Sequence, residues 1–114
     1  MQYMLLIYGP EQAPGEGGQG AMPDMAPWFA YTDWLREKGI YQGGEPLAPT
    51  TAATTIRVRD GKTLTTDGPF AETKEVLGGY YIIETDDLDL ALEAAARCPG
   101  ALYGSMEVRP IVAM

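Results

Sequence analysis

Two segments of this chain are apolar on both faces of a β-strand, and that constrains the fold more than anything else in it. Gln2–Tyr8, reading QYMLLIY, puts Tyr3, Leu5 and Ile7 on one face and Met4, Leu6 and Tyr8 on the other. Val76–Thr85 behaves the same way: Gly78-Gly79 leads into Tyr80-Tyr81-Ile82-Ile83. A strand with two apolar faces needs cover on both. The chain has 114 residues, the length of a single domain spanning 1–114. Such a domain can bury a core without disulfides or metals as staples.

The spacing between these strands predicts two helices. The first opens at Pro23-Asp24 and runs to Lys38, with Met25, Trp28, Phe29, Thr32 and Leu35 as its inward stripe and Tyr31 and Trp34 off it. Asp24 at its start and Arg36 and Lys38 at its end suit the helix dipole, and Gly39 stops it. The second helix is capped by Asp87, has Asp89 in its first turn, buries Leu88, Ala91, Leu92 and Ala95, and ends at Arg97 before Pro99-Gly100. Ile40–Leu47 reads as a short strand in which Gly43-Gly44 marks a bulge or a close backbone approach. Leu102–Ile111 is the last strand. The glycine-rich stretch Gly9–Gly20 reads as a connector, with a lid over a pocket as the alternative.

ATTIRVR-DG-KTLTT between these elements is a hairpin. A two-residue Asp60-Gly61 turn would place Arg59 opposite Lys62. A three-residue loop with Gly61 in a bulge pairs Ile56 with Leu64 and avoids the like charges, and is the register expected here.

The order β, α, β, hairpin, β, α, β predicts an α+β fold, a ferredoxin-like sandwich with an added β-hairpin. Both helices then lie on one face of the sheet, and the other face is bare although its strands are apolar there. A second copy of the chain, packed sheet to sheet about a two-fold axis, is the expected cover.

Composition excludes several kinds of chemistry. There is no histidine, one cysteine (Cys98) and one serine (Ser105), so no Ser-His-Asp or Cys-His arrangement, His-ligated metal site or intrachain disulfide can form. No metal and no cofactor are expected; proton transfer would fall to Asp, Glu, Lys or Tyr. A net charge of −8 argues against nucleic acid and anionic membrane surfaces as partners. The first apolar run is too short for a signal sequence or a membrane span, and a cytoplasmic protein is expected.

Asp67-Gly68-Pro69-Phe70-Ala71-Glu72-Thr73-Lys74-Glu75, followed by Leu77-Gly78-Gly79-Tyr80, resembles the signature of the DGPF-type YCII-related proteins. The start MQYMLLIY, the Gly39…Gly44…Leu47 stretch, the DLDLAL helix and the closing Glu107-Val108-Arg109-Pro110-Ile111 agree with it. The resemblance implies a dimeric α/β barrel built from ferredoxin-like units. It also implies a setting beside extracytoplasmic-function sigma factors, which accompany some relatives. Wider YCII relatives carry a His–Asp pair as a proposed active site, and a chain without histidine cannot reproduce it.

Asp67, before Gly-Pro at a strand end, is either a general base facing a cavity or a turn-former whose carboxylate accepts amides between Gly68 and Ala71. In the second reading Phe70 packs inward and anchors the turn. Lys74 could hold an anion or face solvent. Arg109 and Glu107 form a buried ion pair with Arg57 or Glu84, or line a pocket. Tyr8, Tyr41, Phe70 and Tyr80 are candidate pocket walls. Two function classes follow. One is a non-catalytic module that binds a small molecule or assists regulation, which the missing histidine favours. The other is a cofactor-independent lyase, isomerase or oxygenase on a small organic substrate, with Asp67 as base and Arg109 or Lys74 holding an anion.

Overall fold

The computed structural model describes residues 1–10, 25–70 and 74–114. Its elements are β1 (Gln2–Pro10), α1 (Ala26–Glu37), β2 (Tyr41–Pro46), β3 (Thr54–Arg59), β4 (Lys62–Asp67), β5 (Glu75–Glu84), α2 (Leu88–Arg97) and β6 (Ser105–Pro110). Four strands form one antiparallel sheet in the order β2-β5-β1-β6. The two strands with apolar side chains on both faces, β1 and β5, are its centre. The architecture is α+β with two helices, compatible with a ferredoxin-like fold, and β3 and β4 form a separate two-stranded ribbon.

Both helices cover one face. Tyr3, Leu5 and Ile83 of the sheet pack with Tyr31 and Leu35 of α1 and with Ala91, Ala94, Ala95 and Cys98 in and after α2. On the opposite face the register aligns Met4 with Ile82 and Arg109, and Leu6 with Tyr80 and Glu107. Among the described residues no helix packs there, and they form a slab 46 × 41 × 19 Å in extent.

The helices are rotated relative to the stripes expected from spacing. In α1, Tyr31 and Leu35 are buried, while Met25 and Phe29 of the expected stripe are exposed. Tyr31 can sit at the bottom of the seam because its hydroxyl donates to the Ala94 carbonyl at 2.6 Å, so the phenol is buried without an unpaired polar atom. Trp34 stays half out, its ring flanked by Lys38 and Arg97. In α2, Leu88 and Leu92 are exposed, and the alanines at 91, 94 and 95 face inward. Small side chains let α2 lie close to both α1 and the sheet; a leucine row there would hold it away.

Local signals hold at the helix ends. The Asp87 carboxylate accepts from the amides of Asp89 and Leu90 at 2.9 and 3.3 Å. Gly39 takes a φ of +73° after α1, where its amide and that of Ile40 turn back to the carbonyls of Arg36 and Leu35. The start expected at Pro23-Asp24, and the Gly9–Gly20 connector beyond Pro10, lie outside the described residues. The last strand begins at Ser105 rather than Leu102, because Pro99–Leu102 closes a short 3-10 turn.

The hairpin turns through two residues, Asp60-Gly61, and not through the bulged three-residue loop that the side-chain pairing favours. Arg59 pairs with Lys62, Arg57 with Leu64 and Ile56 with Thr65. Asp60 and Gly61 both take positive φ, 52° and 75°, the two-residue turn whose twist matches the strands it joins. The ribbon is exposed along almost its whole length. Burial therefore does not favour an Ile56–Leu64 pairing, and a solvated Arg59–Lys62 pair costs little. Turn geometry decides the register.

Candidate functional site: the cavity beneath helix α1

Glycines make the site. Gly9 of β1, Gly44 of β2 and Gly78 and Gly79 of β5 all border one cavity. A Cβ on Gly44 would lie 2.6 Å from the Tyr80 carbonyl oxygen, and one on Gly79 would lie 3.0 Å from that of Glu45. The β2 and β5 backbones approach too closely there for side chains, as the Gly43-Gly44 pair suggested, and the register between them shifts at Tyr41/Gly43. With glycines below it, the first half of α1 has few side chains to pack on. A cavity of about 430 Å³ remains between helix and sheet, a volume typical of small-molecule sites.

The walls are mainly aromatic and aliphatic. Trp28, Phe29 and Thr32 come from α1, Tyr41 from β2, Val76 and Tyr81 from β5, and Ile7 from β1. Tyr81 is fixed from two sides, its ring edge-on to Tyr31 at 5.2 Å and to Tyr41 at 6.3 Å between centroids. Its hydroxyl lies 3.1 Å from Thr32 Oγ1, and Thr32 Oγ1 donates to the Trp28 carbonyl at 3.0 Å. Burial pushes the Tyr81 phenol above its ordinary pKa, so it is neutral at physiological pH. Glu45 is the one charged residue among the described lining.

The residues singled out in the sequence separate into three places. Tyr41 borders the cavity, and so does Tyr80, although strand alternation sends the Tyr80 side chain to the opposite sheet face beside Leu6. Tyr8 and Arg109 meet on the opposite sheet face through Glu107: the Tyr8 hydroxyl donates to Glu107 Oε1 at 3.2 Å, and Arg109 Nε donates to Glu107 Oε2 at 2.9 Å. The hydrogen bond from Arg109 holds the Glu107 carboxyl below the usual carboxylate range. Partial burial, then Glu107, pushes the Tyr8 phenol up. The ion pair joins Glu107 to Arg109 itself rather than to Arg57 or Glu84, and it is exposed. Residues two apart on a strand share a face, so the two side chains find each other before any distant partner.

Asp67, Phe70 and Lys74 are elsewhere again, at the end of β4 and the start of β5, and none borders the cavity. Phe70 does not pack inward: it is 76% exposed, its ring 5.1 Å from the Arg57 guanidinium. The turn is tied through the backbone groups of Gly68 instead. The Gly68 amide donates to the Ala53 carbonyl at 2.7 Å, and Thr55 Oγ1 donates to the Gly68 carbonyl at 2.9 Å. Gly68 is thus not held by the Asp67 carboxylate, and its φ of +100° explains the glycine. Among the described residues no group of three or more Cys, Asp or Glu could hold a metal ion, and no helix is long and apolar enough to cross a membrane.

Spacing along the sequence missed Trp28, Thr32 and Tyr81. The spacing puts Trp28 and Thr32 in the core stripe, and the one available signal is a threonine among apolar positions on an inward helix face. The YCII-related domain profile matches residues 1–114, the whole chain. The chain belongs to the YCII-related family. An uncharacterised protein, R00369, of Rhizobium meliloti (strain 1021) is 52% identical over 67 residues, which is 57% of this chain and 54% of that protein. The chain spans about half the length of that curated relative.

Proposed function

We propose that this protein is a small-molecule-binding module of the DGPF type, an accessory or regulatory component in the sigma-factor setting that the signature implies. The cavity beneath α1 carries the reading. It is preformed, apolar and aromatic, with the paired hydroxyls of Thr32 and Tyr81 and the phenol of Tyr41 to orient a guest, and no carboxylate pair among the described lining residues. The enzyme alternative needs the Asp67 carboxylate beside a substrate, whereas Asp67 is exposed at the end of β4 and does not border the cavity.

The working unit in this proposal is a cytoplasmic dimer formed through the open sheet face, a dimeric α/β barrel. Leu6 on that face is already 91% covered by its neighbours, and Met4, Tyr80 and Ile82 around it are half-buried. A second sheet would complete the burial. The cavity lies on the other side of the sheet and stays accessible in such a dimer.

Tryptophan fluorescence tests the binding claim. The chain has two tryptophans, and only Trp28 borders this cavity. In a Trp34→Phe protein, a neutral apolar probe such as toluene should change Trp28 emission saturably. A linear, non-saturating response to toluene would defeat the reading.

A further inference from the structure

The direction of the hydrogen bonds at Thr32 and Tyr81 decides what that pair can offer a guest. Thr32 Oγ1 has one hydrogen, and the Trp28 carbonyl 3.0 Å away engages it. In the 3.1 Å contact between the two hydroxyls, the donor is therefore Tyr81. The relay runs from Tyr81 to Thr32 to the Trp28 carbonyl. It ends on an oxygen that has no proton to give, so it cannot reverse without losing a bond. Both hydroxyl protons are engaged. The Tyr81 oxygen keeps lone pairs, and toward a guest it can only accept.

Shape and charge narrow the guest further. The rings of Trp28, Phe29, Tyr41 and Tyr81 face a backbone stripped of side chains at Gly44 and Gly79, which lets a planar ring lie close to the sheet. No Lys or Arg is among the described lining residues, while Glu45 is, and the chain carries a net charge of −8. A carboxylate in that cavity would lose its hydration and gain no counter-charge.

We infer that the cavity takes a neutral aromatic hydrogen-bond donor, a phenol or an aromatic amine, whose O–H or N–H is received by the Tyr81 oxygen. This rests on reading the cavity as a ligand site. Calorimetric titration of the full chain at pH 7 with 4-ethylphenol, 4-ethylanisole and 4-ethylbenzoate separates the two claims. The phenol should bind roughly three- to tenfold tighter than the ether, the difference made by one hydrogen bond, and the benzoate should bind least. Tyr81→Phe should bring the phenol down to the level of the ether and leave the ether unchanged. Thr32→Val, nearly isosteric, removes the acceptor of the Tyr81 proton and should shift the preference toward the ether; it carries the test if Tyr81→Phe does not fold. Ether binding equal to phenol, benzoate binding tightest, or a phenol preference that survives Tyr81→Phe would overturn the inference and leave the cavity a ligand site. Failure of all three probes to bind a folded protein would overturn both.

Discussion

Tyr31→Phe removes a single oxygen from the seam between the two helices, and its cost can be worked from the structure. The hydroxyl donates to the Ala94 carbonyl at 2.6 Å in a buried position. The helix offers that carbonyl no replacement in regular geometry: the Cys98 amide, four residues on, turns to Ala95 instead. The substitution preserves the ring and its edge-on contact with Tyr81, so it opens no cavity. What remains is a buried acceptor without a donor, at a cost of about 1–3 kcal/mol. For a domain of this size about 4 °C accompanies each kcal/mol, so the midpoint should fall by about 4–12 °C. Calorimetry and a urea melt with unchanged m-value would measure it. A variant within ~0.5 kcal/mol of the parent would refute the reasoning, because it would mean that Ala94 is satisfied without Tyr31. Affinity for 4-ethylphenol should be unchanged, since the wall of the cavity is intact.

Gly104→Ala should destabilise by at least ~2 kcal/mol or prevent folding, because its Cβ would stand 1.9 Å from the Tyr8 carbonyl oxygen; Gly43→Ala, with nothing within 4 Å, is the control that should melt like the parent. Burial pushes the Cys98 thiol up to about 11 from an ordinary value near 9. The folded state therefore binds that proton more tightly than the unfolded one. Its contribution is fully present below pH 9 and is lost as pH rises toward 11, which urea melts across that range would show as falling stability. The same thiol should resist iodoacetamide at pH 8 in the native protein and react in urea. Light scattering at micromolar concentration should return twice the 12.3 kDa chain mass, and Ile82→Lys on the open face should return one; a monomeric parent would contradict the dimer.

How much was readable in advance depended on whether a residue acts within its own element. The Asp87 cap, the Gly39 stop and the two-sided apolar strands are local, and the fold class followed from them. The hairpin register is local too, but two local preferences competed there. Turn geometry outweighs side-chain pairing there, because an exposed ribbon gives side-chain pairs little to contribute. The helix stripes failed for a tertiary reason: hydrophobicity alone put Leu88 and Leu92 inside, while close packing of α2 selects alanine, and a tyrosine is buried only where an Ala94 carbonyl awaits it. The cavity was illegible for the same reason. Gly43-Gly44 reads as a bulge and Gly78-Gly79 as the lead into a strand, and Gly44, Gly78 and Gly79 become one floor only when β2 pairs with β5 and sets Pro46 opposite Gly79. The DGPF segment is conspicuous in one dimension, yet Asp67, Phe70 and Lys74 do not border the cavity.

The location of the ligand is the central claim, and amide chemical-shift mapping tests it most directly. With 4-ethylphenol added to the ¹⁵N-labelled chain, saturable shifts should centre on the Trp28 indole N–H and on the amides of Thr32, Gly44, Gly79 and Tyr81, with Asp67 and Gly68 unmoved. Shifts centred on Asp67, Gly68 and Lys74 instead, with the residues beneath α1 unmoved, would contradict the account and return the chemistry to the DGPF turn.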